Sequence, residues 1–443
     1  MTAESEHLRN SYANHGQAWL HPLLRSVALR HGMIMSAAMT LAGVLDYAIN
    51  VLAGRWLAPV EYGIFVCVAA ILQVLTYLAI SIRNVVAFYT ANLSAQSDSF
   101  RQVGAFVQRA WRWAWEWGLM ATAPVVLISP FLARLLRLPN PRPLWAAAPV
   151  VGLLFMRAIT DGALQGMQAF AGFGVVQVSQ SLLRLLFAAG LIWLGWQAAG
   201  AIAALPLAMA VVLVPAMRYL RPYFQDKSQV AARPVSWHYS SYTLLGLAAF
   251  GVMANLDALC VKRFFSPRLA GDYAPVVTLA KISLFVPLAV GIILLPKAVQ
   301  RQATGRDPRP ILLLSLAGAL APGLFLTVFY FLFPGYVVKF IFTDAYANPG
   351  IVLGLASLAA SLYAGLNIWL NYALSLERPA FIYALVGVLV GQAAGMFLFG
   401  RESLVHMALV MVSAGALGNL AGFFTGWYGM PARGVVRTEL AGP

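Results

Sequence analysis

The sequence predicts an all-α integral membrane protein with about twelve transmembrane helices, and two observations carry this prediction. Of the 443 residues, 61% are hydrophobic and 10% are charged, whereas a soluble globular chain carries about 25% charged residues. The apolar runs are long and continuous, as in residues 244–261, and lack the alternation typical of outer-membrane barrel strands. Because backbone groups in lipid must bond within their own segment, helices are the expected spanning elements.

Apolar runs of about 20 residues, the length that a helix needs to cross a hydrocarbon core of about 30 Å, locate the spans. Several connections between these runs are short, so consecutive helices are expected to be antiparallel neighbours. We predict twelve spans, at residues 32–53, 62–82, 113–132, 144–165, 173–195, 198–218, 241–261, 275–296, 311–333, 350–373, 379–399 and 404–428.

Membrane topology explains the net charge of +15 better than nucleic-acid binding does, because the basic residues lie in short clusters between apolar runs. With the N-terminus inside, 18 of the 30 Lys and Arg residues, Arg83 among them, fall in cytoplasmic segments and 9 fall in outside loops. Cytoplasmic loops carry such an excess, so both termini are predicted to be cytoplasmic. Cys67 and Cys260 have no partner at metal-ligand spacing, and no metal or cofactor is predicted.

The chain divides around its longest central hydrophilic stretch, which follows the sixth predicted span. A shift of 211 residues places Asp46 on Asp257 and Tyr62 on Tyr273, which indicates a duplication. Six helices per half is an even number, so the repeat is predicted to be parallel. The predicted organisation is a cytoplasmic segment 1–31, a six-helix bundle 32–218, a cytoplasmic linker 219–240, a second six-helix bundle 241–428 and a cytoplasmic tail 429–443.

Two segments resemble the polysaccharide-exporter branch of the MOP superfamily: GRWLAPVEYGIF at 54–65 and NLDALCVKRFFSPRLAGDYAPVVTLAKI at 255–282. This branch includes the Wzx-type flippases of lipid-linked oligosaccharides. The resemblance implies two six-helix bundles that face each other across a V-shaped central cavity in a bacterial inner membrane. It implies a lipid-linked oligosaccharide and membrane lipid as partners, and it leaves open a contact with other polysaccharide-export machinery.

Six charged side chains fall inside predicted spans, where each costs at least about 2.5 to 3.5 kcal/mol and is expected to face a cavity or a partner. Arg157 and Asp161 are four residues apart and can pair on one helical face, with a purely structural ion pair as the alternative to a substrate site. The six are Asp46, Arg157, Asp161, Arg184, Asp257 and Lys281.

Basic and amide side chains in the spans are the candidate substrate ligands. Arg184 has no acidic neighbour in its own span, and Gln177 and Gln180 extend the same polar stripe, which is typical of a cavity lining or of interhelical packing. We predict that these three residues bind substrate together with Arg157 and Lys281, because basic groups suit a diphosphate. For Lys281, snorkelling to the membrane interface is the alternative.

The two repeat-related aspartates are the candidate coupling-ion ligands. Asp46 has Asn50 one turn later, and Asp257 also has an asparagine close by. A carboxylate with an amide oxygen suits sodium, and a carboxylate alone suits a proton; an interhelical hydrogen bond is the alternative. We predict Asp46, Asn50 and Asp257 as coupling residues, with Asp46 carrying the ion and Asp257 paired to Lys262 or Arg263.

The function that the resemblance implies is a flippase that moves a polyprenyl-diphosphate-linked oligosaccharide outward by alternating access, without enzymatic activity. An inside-negative potential supplies about 2.3 kcal/mol per charge per 100 mV to such a transfer, so coupling to sodium or protons is left open. The alternatives are a multidrug exporter of organic cations, an oligosaccharide polymerase or ligase, and a scramblase or assembly scaffold. The predicted spans contain three basic and three acidic residues, and this balance disfavours a cavity that binds organic cations.

Overall fold

The computed structural model describes residues 35, 37–94, 99–224, 237–284, 309–375 and 379–428, and this part of the chain contains helices and no strands. A 3-10 turn (Arg221–Phe224) follows the sixth helix, and a π turn (Phe424–Tyr428) follows the last. The helices are α1 (Ala37–Trp56), α2 (Pro59–Ser94), α3 (Ser99–Leu135), α4 (Arg142–Gly166), α5 (Phe170–Trp193), α6 (Gln197–Leu220), α7 (Trp237–Met253), α8 (Leu256–Phe264), α9 (267–284), α10 (Arg309–Leu332), α11 (Pro334–Ile341), α12 (Ile351–Ser375), α13 (Ala380–Leu398) and α14 (Leu404–Phe423).

Within the described residues, ten helices are long and apolar enough to span a membrane. The pair α7 and α8, bent by 43° at its break, adds an eleventh if it is counted as one span. The predicted all-α membrane fold class is therefore confirmed. The eighth predicted span, 275–296, continues past residue 284 and lies partly outside the described residues, as does the predicted linker 219–240. The predicted terminal segments 1–31 and 429–443 lie wholly outside them.

The second and third helices are longer than predicted. Helix α2 continues to Ser94 instead of ending at residue 82, and α3 begins at Ser99 instead of residue 113. The predicted ends fall where the apolar run stops, but outside lipid a helix can continue with a polar face. Arg83, which the sequence places in a cytoplasmic loop, therefore lies inside α2.

Each half of the chain is organised around one well-buried helix. In the first half, α4 packs against α2, α3 and α6; in the second, α12 packs against α10 and α14. Small residues allow the close approach that membrane helices use. Gly152 on α4 faces Gly118 on α3, and a Cβ built on Gly152 would lie 3.0 Å from the Gly118 oxygen. On α4, the polar residues Arg157, Thr160 and Asp161 are buried within the first half.

The two halves meet where α1 is joined to α2, an end of the molecule that we call the α1–α2 end. A Cβ on Gly63 of α2 would lie 3.0 Å from the Cα of Gly271 on α9, so the two backbones are nearly in contact. Next to this contact, the hydroxyls of Tyr62 and Thr278 share a hydrogen bond of 2.6 Å. The halves are therefore closed against each other at this end.

Candidate functional site

A cluster of arginines and carboxylates lies within the first half, on α2, α4 and α5. Nη2 of Arg157 donates to Oδ2 of Asp161 over 3.0 Å and to Oε1 of Gln177 over 2.5 Å. Arg157 and Asp161 are both buried. The ion pair expected from the four-residue spacing is thus present, and Gln177 joins it from α5.

Arg83 is a third member of this cluster, although the sequence places it in a cytoplasmic segment. A Cβ on Gly162, the residue after Asp161, would lie 2.6 Å from the main-chain oxygen of Arg83. The Arg83 guanidinium interacts electrostatically with both Asp161 and Arg157. Arg157 forms the ion pair with Asp161, and Arg83 brings a second guanidinium group to the same carboxylate's surroundings. The signal in the sequence is a basic residue directly after an apolar run.

Several buried atoms of this cluster have no hydrogen-bond partner within the described part of the chain. They include Nε of Arg83, Nη1 of Arg157 and Oδ1 of Asp161. Buried polar groups in proteins nearly always have partners, so such N–H groups are suited to a ligand that brings acceptors. A multiply charged oxyanion meets this requirement.

Arg184 lies two turns further along α5 from Gln177 and pairs with Asp46 of α1. Its Nη1 donates to Oδ1 of Asp46 over 3.2 Å, and the Asp46 side chain is 48% exposed. Gln180 lies on α5 between Gln177 and Arg184. Its Oε1 has no hydrogen-bond partner among the described residues, and neither has Nε of Arg184. Nδ2 of Asn50 donates to the main-chain oxygen of Asp46 over 2.9 Å, so this amide forms a hydrogen bond within its own helix. The predicted substrate and coupling residues of the first half are thus adjacent.

The second half holds a different arrangement around Asp257, which is 3% exposed. The Tyr273 hydroxyl donates to Oδ2 of Asp257 over 3.0 Å. Nζ of Lys281 donates to Oδ1 of Asn255 over 2.7 Å. Among the charged side chains, Lys281 interacts most strongly with the Asp257 carboxylate. Lys281 is therefore a part of the second acidic site and lies in the opposite half to Arg157 and Arg184.

The predicted pairing of Asp257 with Lys262 or Arg263 does not form. These residues follow Asp257 by five and six positions, and a helix with 3.6 residues per turn directs them to other faces. Lys262 is 2% exposed and faces Glu61 and Cys67 of α2, in the other half. Its Nζ has no hydrogen-bond partner within the described ranges. The ammonium group is thus buried between the halves.

The bend between α7 and α8 positions the second acidic site. Two amide side chains satisfy carbonyls that the bend releases: Nε2 of Gln392 donates to the Met253 oxygen over 3.0 Å, and Nδ2 of Asn255 donates to the Gly251 oxygen over 2.8 Å. Asp257 occupies the first turn of α8. A carboxylate is favoured there by the positive end of the helix dipole.

Side chains of both halves hold the α1–α2 end closed. Arg55 donates from Nε to the Ile341 oxygen and from Nη2 to the Phe340 oxygen, each over 2.8 Å. The Tyr346 hydroxyl donates to the Gly54 oxygen over 2.6 Å. Burial raises the pKa of this hydroxyl above its ordinary value, so Tyr346 remains a donor at physiological pH.

No protein-family profile and no curated protein matches the sequence. Among solved structures, the lipid II flippase MurJ in an inward closed conformation is similar at a TM-score of 0.67 and 11% identity, covering 89% of this chain and 87% of that chain. The two chains share a fold. An inward-facing multidrug resistance MATE transporter of the MOP superfamily has a TM-score of 0.66 and 12% identity, covering 88% of this chain and 97% of that chain. An outward-facing one has a TM-score of 0.61 and 13% identity, covering 89% of this chain and 94% of that chain.

The structural neighbours show that the chain has a fold found in flippases and multidrug transporters. Identities of 11 to 13% show shared architecture alone, so the substrate of either neighbour is not thereby the substrate of this chain. The Wzx-type specificity implied by the sequence resemblance stays a prediction.

Proposed function

We propose that this chain is a flippase that carries a polyprenyl-diphosphate-linked oligosaccharide across a bacterial inner membrane by alternating access. The observation that carries the proposal is the cluster of Arg83, Arg157 and Asp161, in which two arginines accompany one carboxylate and each has a buried N–H group without a hydrogen-bond partner among the described residues. Arginine forms charge-assisted, bidentate hydrogen bonds to phosphate oxygens. A diphosphate headgroup supplies the acceptors that these donors lack.

Arg184 provides the next contact along α5. Seven residues separate it from Gln177, which corresponds to roughly 10 Å along a helix at 1.5 Å per residue. In our proposal the diphosphate binds Arg184 in place of Asp46, whose half-exposed carboxylate allows the exchange. Asp46 is then free to take up a proton or a sodium ion. This step would couple substrate binding to an ion at Asp46.

The closed α1–α2 end supports an alternating-access cycle. In the orientation predicted from the basic residues, this end faces the outside, and the closed contacts of Arg55 and Tyr346 would block exit to that side. The inward-facing MATE neighbour has a TM-score of 0.66, against 0.61 for the outward-facing one. We therefore assign the described arrangement to the stage that receives substrate from the cytoplasmic side.

Export of organic cations is the second candidate, because two of the similar structures are multidrug resistance transporters. The net positive charge of the cluster at Arg157 opposes it, since a cationic substrate would gain no attraction there. A polymerase or ligase has less support, because these fold neighbours are transporters and flippases.

The test is a flipping assay with purified protein in liposomes that contain a polyprenyl-diphosphate oligosaccharide. Exposure of the sugar to an impermeant glycosidase is followed over time under an imposed potential. Wild-type protein should accelerate exposure, and Arg157→Gln/Asp161→Asn, which removes both charges of the buried pair, should slow it about tenfold or more, given about 1.5–3 kcal/mol for a charged hydrogen bond.

Lys339→Ala/Asp344→Ala is the matched control, because it removes an ion pair whose side chains are 69% and 71% exposed. This variant should flip the lipid at the wild-type rate. Wild-type protein that extrudes an organic cation and leaves the lipid-linked sugar inside would overturn the proposal in favour of the second candidate.

A further inference from the structure

The second acidic site contains the oxygen atoms that a coupling cation would use, together with a base. The carboxylate of Asp257 and the amide oxygen of Asn255 are the pair that the sequence marks as cation ligands. The structure directs Nζ of Lys281 to the Asn255 oxygen, 2.7 Å away. Lys281 also has the strongest charge interaction with Asp257. The ammonium group of Lys281 thus lies where a bound cation would be expected, next to the oxygen atoms of Asn255 and Asp257.

The charge balance at this site is complete without an added ion. Asp257 contributes −1 and Lys281 contributes +1, while the other titratable groups that face Asp257 are Cys260 on α8, Tyr273 on α9 and Tyr363 on α12. Thiols and phenols with ordinary pKa values are neutral at pH 7. A second cation would meet a site that is already neutral and would be repelled by the ammonium group.

Burial separates this site from the Asp46 site. Asp46 is about half exposed, and in the proposed cycle its partner Arg184 turns to the anionic substrate. Asp257 is almost fully buried and has the Tyr273 hydroxyl on Oδ2. Removing Lys281 from it would leave a charge in an apolar interior, which is strongly unfavourable.

We propose that Lys281 is a tethered counter-ion that takes the position of a coupling cation at the Asn255–Asp257 site. The second half of the chain consequently operates without a bound alkali cation. The role of Lys281 rests on the contacts of the site alone, and its consequence for transport rests on the proposed flippase function. Lys281 is in this view a positioning residue that has no contact with the substrate.

The test replaces the tethered cation by a free one. Thermal unfolding in nanodiscs is measured for wild type, Lys281→Ala and Lys281→Ala/Asp257→Asn, in sodium chloride and in choline chloride of equal ionic strength. Wild type should melt at the same temperature in both salts. Lys281→Ala should melt several degrees lower in choline chloride and recover in sodium chloride, because a bound ligand stabilises the folded state.

The double variant should melt close to wild type in both salts, because it has neither charge. Lys339→Ala, which removes an exposed lysine, serves as the control and should be insensitive to the salt. The proposal is overturned if Lys281→Ala melts like wild type, if Asp257→Asn fails to restore its stability, or if sodium does not stabilise it.

A flipping assay extends the test to transport. Sodium should raise the rate of Lys281→Ala beyond any change that it causes in wild type through Asp46. If wild type does not flip the lipid, the proposed function fails, whereas the melting temperatures still decide the role of Lys281. Sodium-stimulated flipping that Asp257→Asn abolishes in the wild-type background would overturn the counter-ion proposal while supporting the flippase.

Discussion

The two repeat-related aspartates differ in burial and in the side chains that serve them. Asp46 is about half exposed and pairs with Arg184 from α5, whereas Asp257 is buried and accepts a hydrogen bond from Tyr273. The tyrosine at the equivalent first-half position, Tyr62, does not reach its aspartate and bonds across the halves instead. One sequence pattern has thus produced an ion pair with a half-exposed carboxylate in the first half and a buried carboxylate bonded to a tyrosine in the second.

The backbone explains the difference. Helix α1 runs unbroken from Ala37 to Trp56, but its counterpart is divided into α7 and α8 with a bend of 43°. Asp257 lies in the first turn after the bend, where it is buried and bonded to Tyr273 of α9. A break of two residues therefore decides whether the repeated carboxylate stays accessible or becomes a part of the core.

The largest expected effect follows from removing the buried carboxylate. Asp257→Asn leaves Lys281 as an unpaired buried charge and should lower the free energy of unfolding by about 3–5 kcal/mol, as for other buried pairs with one partner removed. Thermal unfolding in nanodiscs measures this. A change below about 1 kcal/mol would mean that the second site resembles the exposed first one.

A second effect concerns the tyrosines of the repeat. Tyr273→Phe removes a hydrogen bond to a charged group and should cost about 1.5–3 kcal/mol, while Tyr62→Phe removes a neutral one and should cost about 0.5–1.5 kcal/mol. The same unfolding experiment compares both variants. Equal costs would contradict the different roles assigned to the two residues.

The bend itself is tested by removing one of its amides. Gln392→Met leaves the Met253 oxygen without this donor and should destabilise the protein by about 1–3 kcal/mol. Val390→Met on the exposed face of the same helix is the control and should be nearly neutral. If both substitutions have the same effect, the bend does not depend on Gln392.

The smallest effect on stability is expected for Asp46→Asn, at about 0–1 kcal/mol, because exposed ion pairs contribute little. Its effect on transport should be larger. Stimulation of flipping by a proton or sodium gradient should disappear while the potential-driven rate remains. Intact gradient stimulation in this variant would remove Asp46 from the coupling step.

The fold class and one ion pair could be predicted from the sequence because both depend on local spacing. Apolar run lengths mark the spans, and the four-residue interval joins Arg157 to Asp161. Partners on different helices have no characteristic spacing in the sequence. The contacts of Arg184 with Asp46 and of Lys281 with Asn255 are therefore visible only in the structure.

Arg83 shows a different limit of the sequence. An average over hydropathy ends a helix where polar residues begin, yet α2 continues for three more turns into Ser94. The hydropathy of a charged residue at that boundary is the same whether the residue lies in a loop or inside the helix bundle. Only the packing of Gly162 against the backbone of α2 distinguishes the two cases.

The buried ammonium group of Lys262 gives the closed α1–α2 end an internal source of instability. Hydrogen bonds from Arg55 and Tyr346 favour closure, but the Lys262 Nζ loses hydration in the same interface and gains no hydrogen bond among the described residues. Separation of the halves would return water to it. Burial of this ammonium group thus opposes the closure that Arg55 and Tyr346 favour, and a substrate shifts such an equilibrium only by the difference in its affinity for the two states.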